Sequence, residues 1–445
     1  MLSKKFTLRS HKSSITYIYP HPTIPSNVFT ADSSGLIINW DLTIRRPKSS
    51  WQAHTDTILT ISTIENNNSN NNGDGDGDGD GDYYLLTHSR DNTIKIWDLL
   101  KFSCLLEIPC NSLNFTNIEI FNDLLFTPSS INSNNLDVYK INPKNWQIKR
   151  LIFDFDIYKL VNKNENENGN IIQEIGSDTI TNNRNDFGII MQMKIIKTIT
   201  TTTTNTTTTT TKENQEENGG DFIIYLGFES GDIVGLQLIL PPARILSTTN
   251  KSTNTNTNTN DKTIIYNQSA KFILKYHNSF HVPNPIICLS NLNSILISSS
   301  ITNKLIIHYN PIIEIKNLKY SGIQSIVYFK KFHQLIFGYW NGYIQYDDIL
   351  IKQNLPKLGT TNNNNINNNI DTDINQEQSK LTKKLTFMTI LNESKQEISQ
   401  TSTTTTTTSG GDKSKYSSLI KSKRNFKLPL LLVGYEDGSI VAYNI

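Results

Sequence analysis

The chain has 445 residues, with 42 Lys and Arg against 40 Asp and Glu and a formal net charge of +2. That balance argues against a nucleic-acid groove or an anionic-membrane surface, either of which needs a dense basic patch that no folded segment supplies. Three cysteines (Cys104, Cys110 and Cys288), none in a C-x-x-C pair, are too few for a disulfide framework. No apolar run reaches the ~18 residues of a membrane span, and Met1–Phe6 lacks the apolar core of a signal peptide. The expectation is a soluble intracellular protein.

Six stretches are almost pure Asn, Thr, Ser, Gly, Asp, Glu, Gln or Lys: about 66–82, 162–185, 200–219, 248–262, 354–380 and 392–422. They bury too little apolar surface to offset the entropy of ordering, so they are expected to be disordered insertions. Between them the apolar segments are short, β-branched or aromatic, and bounded by Gly, Asn, Asp, Ser or Pro. None holds a 3.6-residue period over three turns. The chain reads as all-β.

Near the N-terminus, Lys5–Arg9 is a lone alternating strand. A first unit follows from His11: strands Ile15–Ile18, Val28–Thr30 and Leu36–Trp40, with a turn at Asp32-Ser33-Ser34-Gly35. A second unit starts at His54 and has Ile58–Ile64, Leu85–Thr87, an Arg90-Asp91-Asn92 turn and Ile94–Trp97. Both end on Trp-Asp. His11 and His54 are 43 residues apart, and Trp40 and Trp97 are 57 apart, or 40 without the 66–82 insertion. Two such units predict a WD40-type β-propeller.

A third blade is read at Phe115–Ile120, Leu124–Thr127 and Leu136–Tyr139. A later one is read at Phe272–Leu274, Ile286–Leu289, Ile295–Ser298 and Leu305–Tyr309, and the next at Ile323–Phe329, Leu335–Phe337 and Tyr343–Gln345. Later units share a G-[FY]-x-x-G-x-I signature at Gly227 and Gly231, Gly338 and Gly342, and Gly434 and Gly438. The second glycine of each pair, like Gly35, suits the positive φ of a tight hairpin. The first allows close packing at the strand end. Setting aside the six insertions leaves about 311 residues, enough for seven blades of about 40–45 residues in one domain spanning 1–445, with six and eight as alternatives. The last hairpin lacks a fourth strand. Pairing it with Lys5–Arg9 would close the last blade and remove two open sheet edges.

His54, Thr87, Asp91 and Trp97 resemble the hydrogen-bonded tetrad of WD40 blades. In that resemblance the indole donates to the hydroxyl, the hydroxyl meets the imidazole, and the imidazole meets the turn carboxylate. Such a network fixes blade geometry. The first unit offers a partial tetrad of His11, Thr30, Ser34 and Trp40: Ser34 stands where the carboxylate is expected, with Asp32 two residues early. On this reading only the His54 unit is intact.

A hydrolytic Asp-His-Thr relay uses the same residue types, but the Trp end-stop and repeat position favour the structural role. His277 and His281 have H-x-x-x-H spacing, which gathers two imidazoles for a metal only on a helix; here it falls between strands. The Gly73–Asp82 repeat lacks the spaced apolar residues of a calcium-binding β-roll. His88 and Arg90 are candidates for a binding face, with strand-end solvation as the plain alternative. Lys413, Lys415, Lys421, Lys423, Arg424 and Lys427 form one basic run, read as a solvated linker ahead of a nuclear-import signal. No catalytic, cofactor or metal residue is predicted.

Phe6-Thr7-Leu8-Arg9-Ser10-His11-Lys12-Ser13-Ser14-Ile15, the Asp32–Gly35 turn leading to Trp40-Asp41-Leu42, and Arg45-Arg46-Pro47 with Trp51-Gln52-Ala53-His54 form one set. With Leu86–Asn92 and the terminal Gly434–Ile440, the chain resembles the fungal ASTRA-associated WD-repeat family. The resemblance is strongest over about the first 100 residues and the last 17. It implies a non-catalytic, cofactor-free scaffold, nuclear and linked to chromatin remodelling. The implied partners are phosphatidylinositol-3-kinase-related proteins, their HEAT-repeat cochaperones and paired AAA+ ATPases. A G-protein β-like subunit lacks support because its N-terminal coiled coil is missing. A ubiquitin-ligase receptor would need a docking domain for which the blades leave no room. A generic WD40 adaptor is the alternative.

Overall fold

The structure, a computed structural model, describes residues 3–65, 83–111, 115–168, 186–198, 222–240, 244–245, 264–265, 270–309, 312–346, 349–352, 383–391 and 428–445. The insertions at 66–82, 200–219, 248–262, 354–380 and 392–422, the Gly-Asp repeat and the basic run at 413–427 lie outside these residues.

Seven four-stranded antiparallel sheets carry the chain, and the fold is that of a seven-bladed, WD40-type β-propeller. Blade one is Ile15–Pro20, Asn27–Asp32, Leu36–Asp41 and Arg46–Gln52; blade two is Ile58–Glu65, Tyr83–Ser89, Thr93–Asp98 and Ser103–Pro109. Blade three is Glu119–Phe121, Leu124–Pro128, Leu136–Asn142 and Gln147–Phe155. Blade four is Ile190–Lys197, Phe222–Phe228, Ile233–Ile239 and Lys271–Asn278. Blade five is Ile286–Leu292, Ile295–Ser300, Lys304–His308 and Ile313–Asn317, and blade six is Ile323–Phe329, Gln334–Tyr339, Tyr343–Tyr346 and Ile349–Lys352. Blade seven takes Leu385–Leu391, Leu430–Tyr435 and Ser439–Asn444, and its fourth strand is Ser3–Arg9. A two-stranded ribbon joins Arg244–Ile245 to Ile264–Ile265. No helix among the described residues is long and apolar enough to cross a membrane.

The chain forms two compact units, one of residues 1–112, 299–305 and 316–445 and the other of 113–298 and 306–315. In the first, the N-terminal strand pairs antiparallel with the last, Phe6 opposite Ala442 and Leu8 opposite Ile440. Alternation turns Phe6 and Leu8 inward, and both pack with Ile15, Trp40, Leu432 and Ile440 in one buried cluster. The second strands of blades one and seven, Asn27–Asp32 and Leu430–Tyr435, are buried along their whole length. Such strands are covered on both sheet faces, which is why apolar side chains sit at consecutive positions, Val28-Phe29 in one and Leu430–Val433 in the other.

In the second unit, Phe126, Phe222, Phe228 and Leu236 centre another core cluster. It also holds Ile157 and Val161, from an α-helix at Ile157–Asn168 that corrects the purely β expectation and the start of the 162–185 insertion. Asp156 caps that helix by accepting the Lys159 backbone N–H at 2.9 Å. The buried pair four residues apart supplies the apolar stripe that the Asn- and Glu-rich surroundings conceal. A second correction concerns Phe272–Leu274, which belong to the fourth strand of blade four rather than to the next blade. The 248–262 insertion falls inside blade four, so the strand after it looked like a new start.

The paired glycines divide their work. Gly35, Gly231, Gly342 and Gly438 have φ of +84°, +94°, +85° and +76°. Gly227, Gly338 and Gly434 have ordinary φ but no room: a Cβ on Gly434 would lie 2.5 Å from Ile15 Cγ2, and one on Gly227 2.6 Å from Ile286 Cγ2. On Gly338 it would meet Leu385 and Met388. At the positive-φ glycines both constraints coincide: a Cβ would fall 2.1 Å from the carbonyl oxygen of His54 at Gly35 and 2.6 Å from that of His11 at Gly438.

Candidate functional site

In blade two the hairpin between the second and third strands brings Thr87 opposite Lys95, so Trp97 lies back along the third strand toward the Thr87 hydroxyl. Trp97 Nε1–H donates to Thr87 Oγ1 at 2.8 Å, and Thr87 Oγ1 lies 2.7 Å from His54 Nε2. His54 Nδ1 lies 3.0 Å from Asp91 Oδ2, and the Thr55 backbone N–H donates to the same oxygen at 3.0 Å. Since the carboxylate can only accept, His54 carries its proton on Nδ1, and the threonine hydroxyl donates to Nε2. Each buried polar group is thereby satisfied in one direction.

Burial pulls the His54 pKa below the ordinary imidazole value even though Asp91 opposes it, so the ring is neutral at pH 7. For Asp91, desolvation pushes upward, but hydrogen bonds from Thr93 and the Thr55 N–H and the nearness of His54 outweigh it and hold the carboxyl below its usual value. The link is therefore a hydrogen bond between a neutral ring and a carboxylate. Chemically the chain has the order of a hydrolase relay. Thr87 is wholly buried and holds the indole N–H, so no substrate carbonyl can meet its hydroxyl in this geometry.

Blade one holds the same network with a different carboxylate, which corrects the sequence reading. His11 Nδ1 lies 2.7 Å from Asp32 Oδ2, not against Ser34, and His11 Nε2 lies 2.7 Å from Thr30 Oγ1, which accepts Trp40 Nε1–H at 2.8 Å. Ser34 instead donates its backbone N–H and its hydroxyl to the other oxygen of Asp32, at 2.9 and 2.7 Å. Those two bonds orient the carboxylate toward His11. Burial raises the Asp32 pKa, but the hydrogen bonds from His11 and Ser34 prevail and lower it overall. The Trp-Asp dipeptide serves twice, because Asp41 and Asp98 accept the N–H groups of Thr43 and Leu100 at the next turn, at 2.8 and 2.9 Å.

Blade five carries a network that sequence reasoning missed. Ser298 Oγ lies 2.8 Å from His281 Nε2 and 2.7 Å from His308 Nε2, and His308 Nδ1 lies 2.5 Å from the Tyr276 hydroxyl. His308 takes the place of the tryptophan. The signal was in the spacing: Thr30 to Trp40, Thr87 to Trp97 and Ser298 to His308 are all ten residues. Burial, with His281 adding its charge, depresses the His308 pKa to about 3.

Other blades vary the turn clamp. In blade seven Lys383 pairs with Asp437 and donates to Ser439 Oγ at 2.5 Å, where blade two uses His54, Asp91 and Thr93. In blade four Asp232 accepts from Ser230 and Ser279 at 2.6 Å and lies 3.3 Å from His277 Nε2. His277 and His281 thus serve different networks despite their spacing. His88 is not on an exposed face: it is wholly buried, and desolvation drives its pKa to about 3. Arg90, its neighbour in the turn, is exposed.

Comparison with known proteins agrees with this architecture. A family model described as ASTRA-associated protein 1 matches residues 4–203. Proteins of that name from Candida albicans strains WO-1 and SC5314 are 66% and 65% identical over all of both chains, and one from Candida tropicalis is 48% identical over the same span. The crystal structure of Saccharomyces cerevisiae Sqt1 aligns over 99% of this chain and 98% of its own, with a TM-score of 0.50 and 11% identity, a likeness of fold alone. With full-length identity at this level, the chain belongs to the ASTRA-associated protein 1 family.

Proposed function

We propose that this protein is a non-catalytic scaffold subunit of the ASTRA assembly, acting in the nucleus in chromatin remodelling and in bringing phosphatidylinositol-3-kinase-related proteins together with their cochaperones. The observation that carries the reading is the full-length identity to relatives named for ASTRA association. The geometry is consistent with it, because the polar networks with the chemistry of a relay are buried and hold strands in place. A rigid frame with variable surface turns suits several simultaneous protein contacts. The experiment is affinity purification of the tagged full chain followed by mass spectrometry. Recovery of kinase-related proteins, HEAT-repeat cochaperones and AAA+ ATPases is the expected result. A clean preparation holding a different complex, or none of these proteins, would overturn it.

A further inference from the structure

The turn between the second and third strands presents a solvent-facing residue two positions before the positive-φ residue. In blades two, four and seven that residue is charged and exposed, Arg90, Glu229 and Glu436, and in blade one it is the half-buried Ser33. In blade six it is Trp340, 40% exposed. An indole at such a position gains nothing from the core, yet it is held firmly. Its ring lies against the bare Cα of Gly322, where a Cβ would fall 2.0 Å from Trp340 Cε2. Its backbone N–H donates to the Gly322 carbonyl at 3.0 Å.

The surroundings continue the apolar face and add charge at its rim. Tyr320 stacks on Tyr343 at 4.7 Å with ring planes 14° apart and meets Tyr339 edge-on at 5.6 Å. Ile301, 38% exposed, accepts the Gly322 N–H through its carbonyl at 3.1 Å. The exposed Lys319 lies over the Tyr320 ring at 5.6 Å. Two hydrogen bonds, Leu318 N–H to Asn303 O and Asn303 Nδ2–H to Leu318 O, hold the exposed Lys304 beside that segment. Among the described residues, neither Lys304 nor Lys319 forms an ion pair with a carboxylate.

We propose that Trp340, Gly322, Tyr320 and Ile301, rimmed by Lys304 and Lys319, dock an acidic linear segment of a protein partner, with a bulky apolar side chain seated against the indole. A rigid, half-exposed tryptophan has lost its ordering entropy in advance, which is the property of an interface anchor. Both charged rim residues, Lys304 and Lys319, are positive, so the complementary segment is acidic. Two lysines beside an isoleucine are too few to track a phosphate backbone, which favours a peptide over single-stranded nucleic acid. The surface rests on the reading of the chain as a scaffold, but not on which assembly it serves.

The test uses the purified full chain and a phage library of random decapeptides, selected on the natural protein and counter-selected on Trp340→Ala. The expected consensus is a bulky apolar residue flanked by Asp or Glu. A labelled peptide of that consensus should bind about tenfold or more weakly to Trp340→Ala, and similarly to a Lys304→Glu/Lys319→Glu variant that leaves the indole in place. Added salt should weaken it. The charge-reversal variant keeps the test decisive if Trp340→Ala does not fold. Selection of no peptide sensitive to either variant, a basic consensus, or tighter binding of a ten-nucleotide oligothymidylate would overturn the proposal. Those outcomes are independent of which proteins co-purify with the chain.

Discussion

Blades two and five solve one problem with different atoms. In each, a hydroxyl on the second strand joins an imidazole before the first strand to a ring ten residues further on. Blade two anchors its chain on the Asp91 carboxylate, which fixes the imidazole tautomer and the direction of every proton. The blade-five chain runs His281, Ser298, His308 and on to Tyr276 of blade four, and every member can both donate and accept. The difference shows that geometry is set by the central hydroxyl and its two rings, while the carboxylate adds orientation.

Acid should strain both blades most. His88 in blade two and His308 in blade five are held near a pKa of about 3, far below the ordinary value of an unfolded imidazole. Because the folded value is depressed, their contribution is complete above about pH 6.5 and is lost as pH falls from there toward 3, where the unfolded chain alone takes the protons. Asp32, Asp91, Asp232 and Asp437, all lowered, lose their contributions below the ordinary carboxylate range. Urea midpoints should therefore fall steadily between pH 6.5 and 4, and His88→Leu with His308→Leu should flatten that slope. A slope unchanged by both substitutions would contradict neutral burial.

Next in size, Trp97→Ala should cost about 3–5 kcal/mol through its lost packing and the missing donor to Thr87. His308→Ala should cost about 1–3 kcal/mol, mainly by stranding Ser298 and Tyr276. Equal losses in chemical denaturation would mean that the two rings carry the same load. Comparable to His308→Ala, Thr87→Val and Ser298→Ala should each cost about 1–3 kcal/mol, and a neutral Ser298→Ala would reduce the blade-five chain to coincidence of position. Smallest is the contrast within blade one. Asp32→Ala should cost about 1–2 kcal/mol and Ser34→Ala about 0.5–1 kcal/mol. The reverse order would restore Ser34 as the partner of His11.

The repeat was legible because Trp-Asp end-stops and paired glycines are local signals. Closure of the last blade by Ser3–Arg9 was legible too, from a strand without a blade and a blade without a strand. Asp32 was not assigned to His11 because matching by repeat position ignores reach: a carboxylate two residues earlier meets the ring once Ser34 folds back on it. The strands of blade five were legible, but its polar network was hidden because histidine at the tryptophan position carries no familiar signature. The helix after Asp156 was hidden because only a few apolar side chains, Ile157 and Val161 chief among them, interrupt a polar run.

The pairing of Ser3 with Asn444 has a consequence for how the protein comes into being. Ribosomal synthesis proceeds from the N-terminus, so Phe6 and Leu8 emerge first and wait for the last strand to be made. A product stopped before Ser439 keeps those side chains unplaced and leaves a strand with no neighbour, a state open to quality control. The same adjacency makes the chain a candidate for circular permutation. Joining Ser3 to Asn444 through a short Gly-Ser linker and opening the chain within 66–82 would turn its most distant strand pair into a local hairpin and pass the task of long-range closure to Ile58–Glu65 and Tyr83–Ser89.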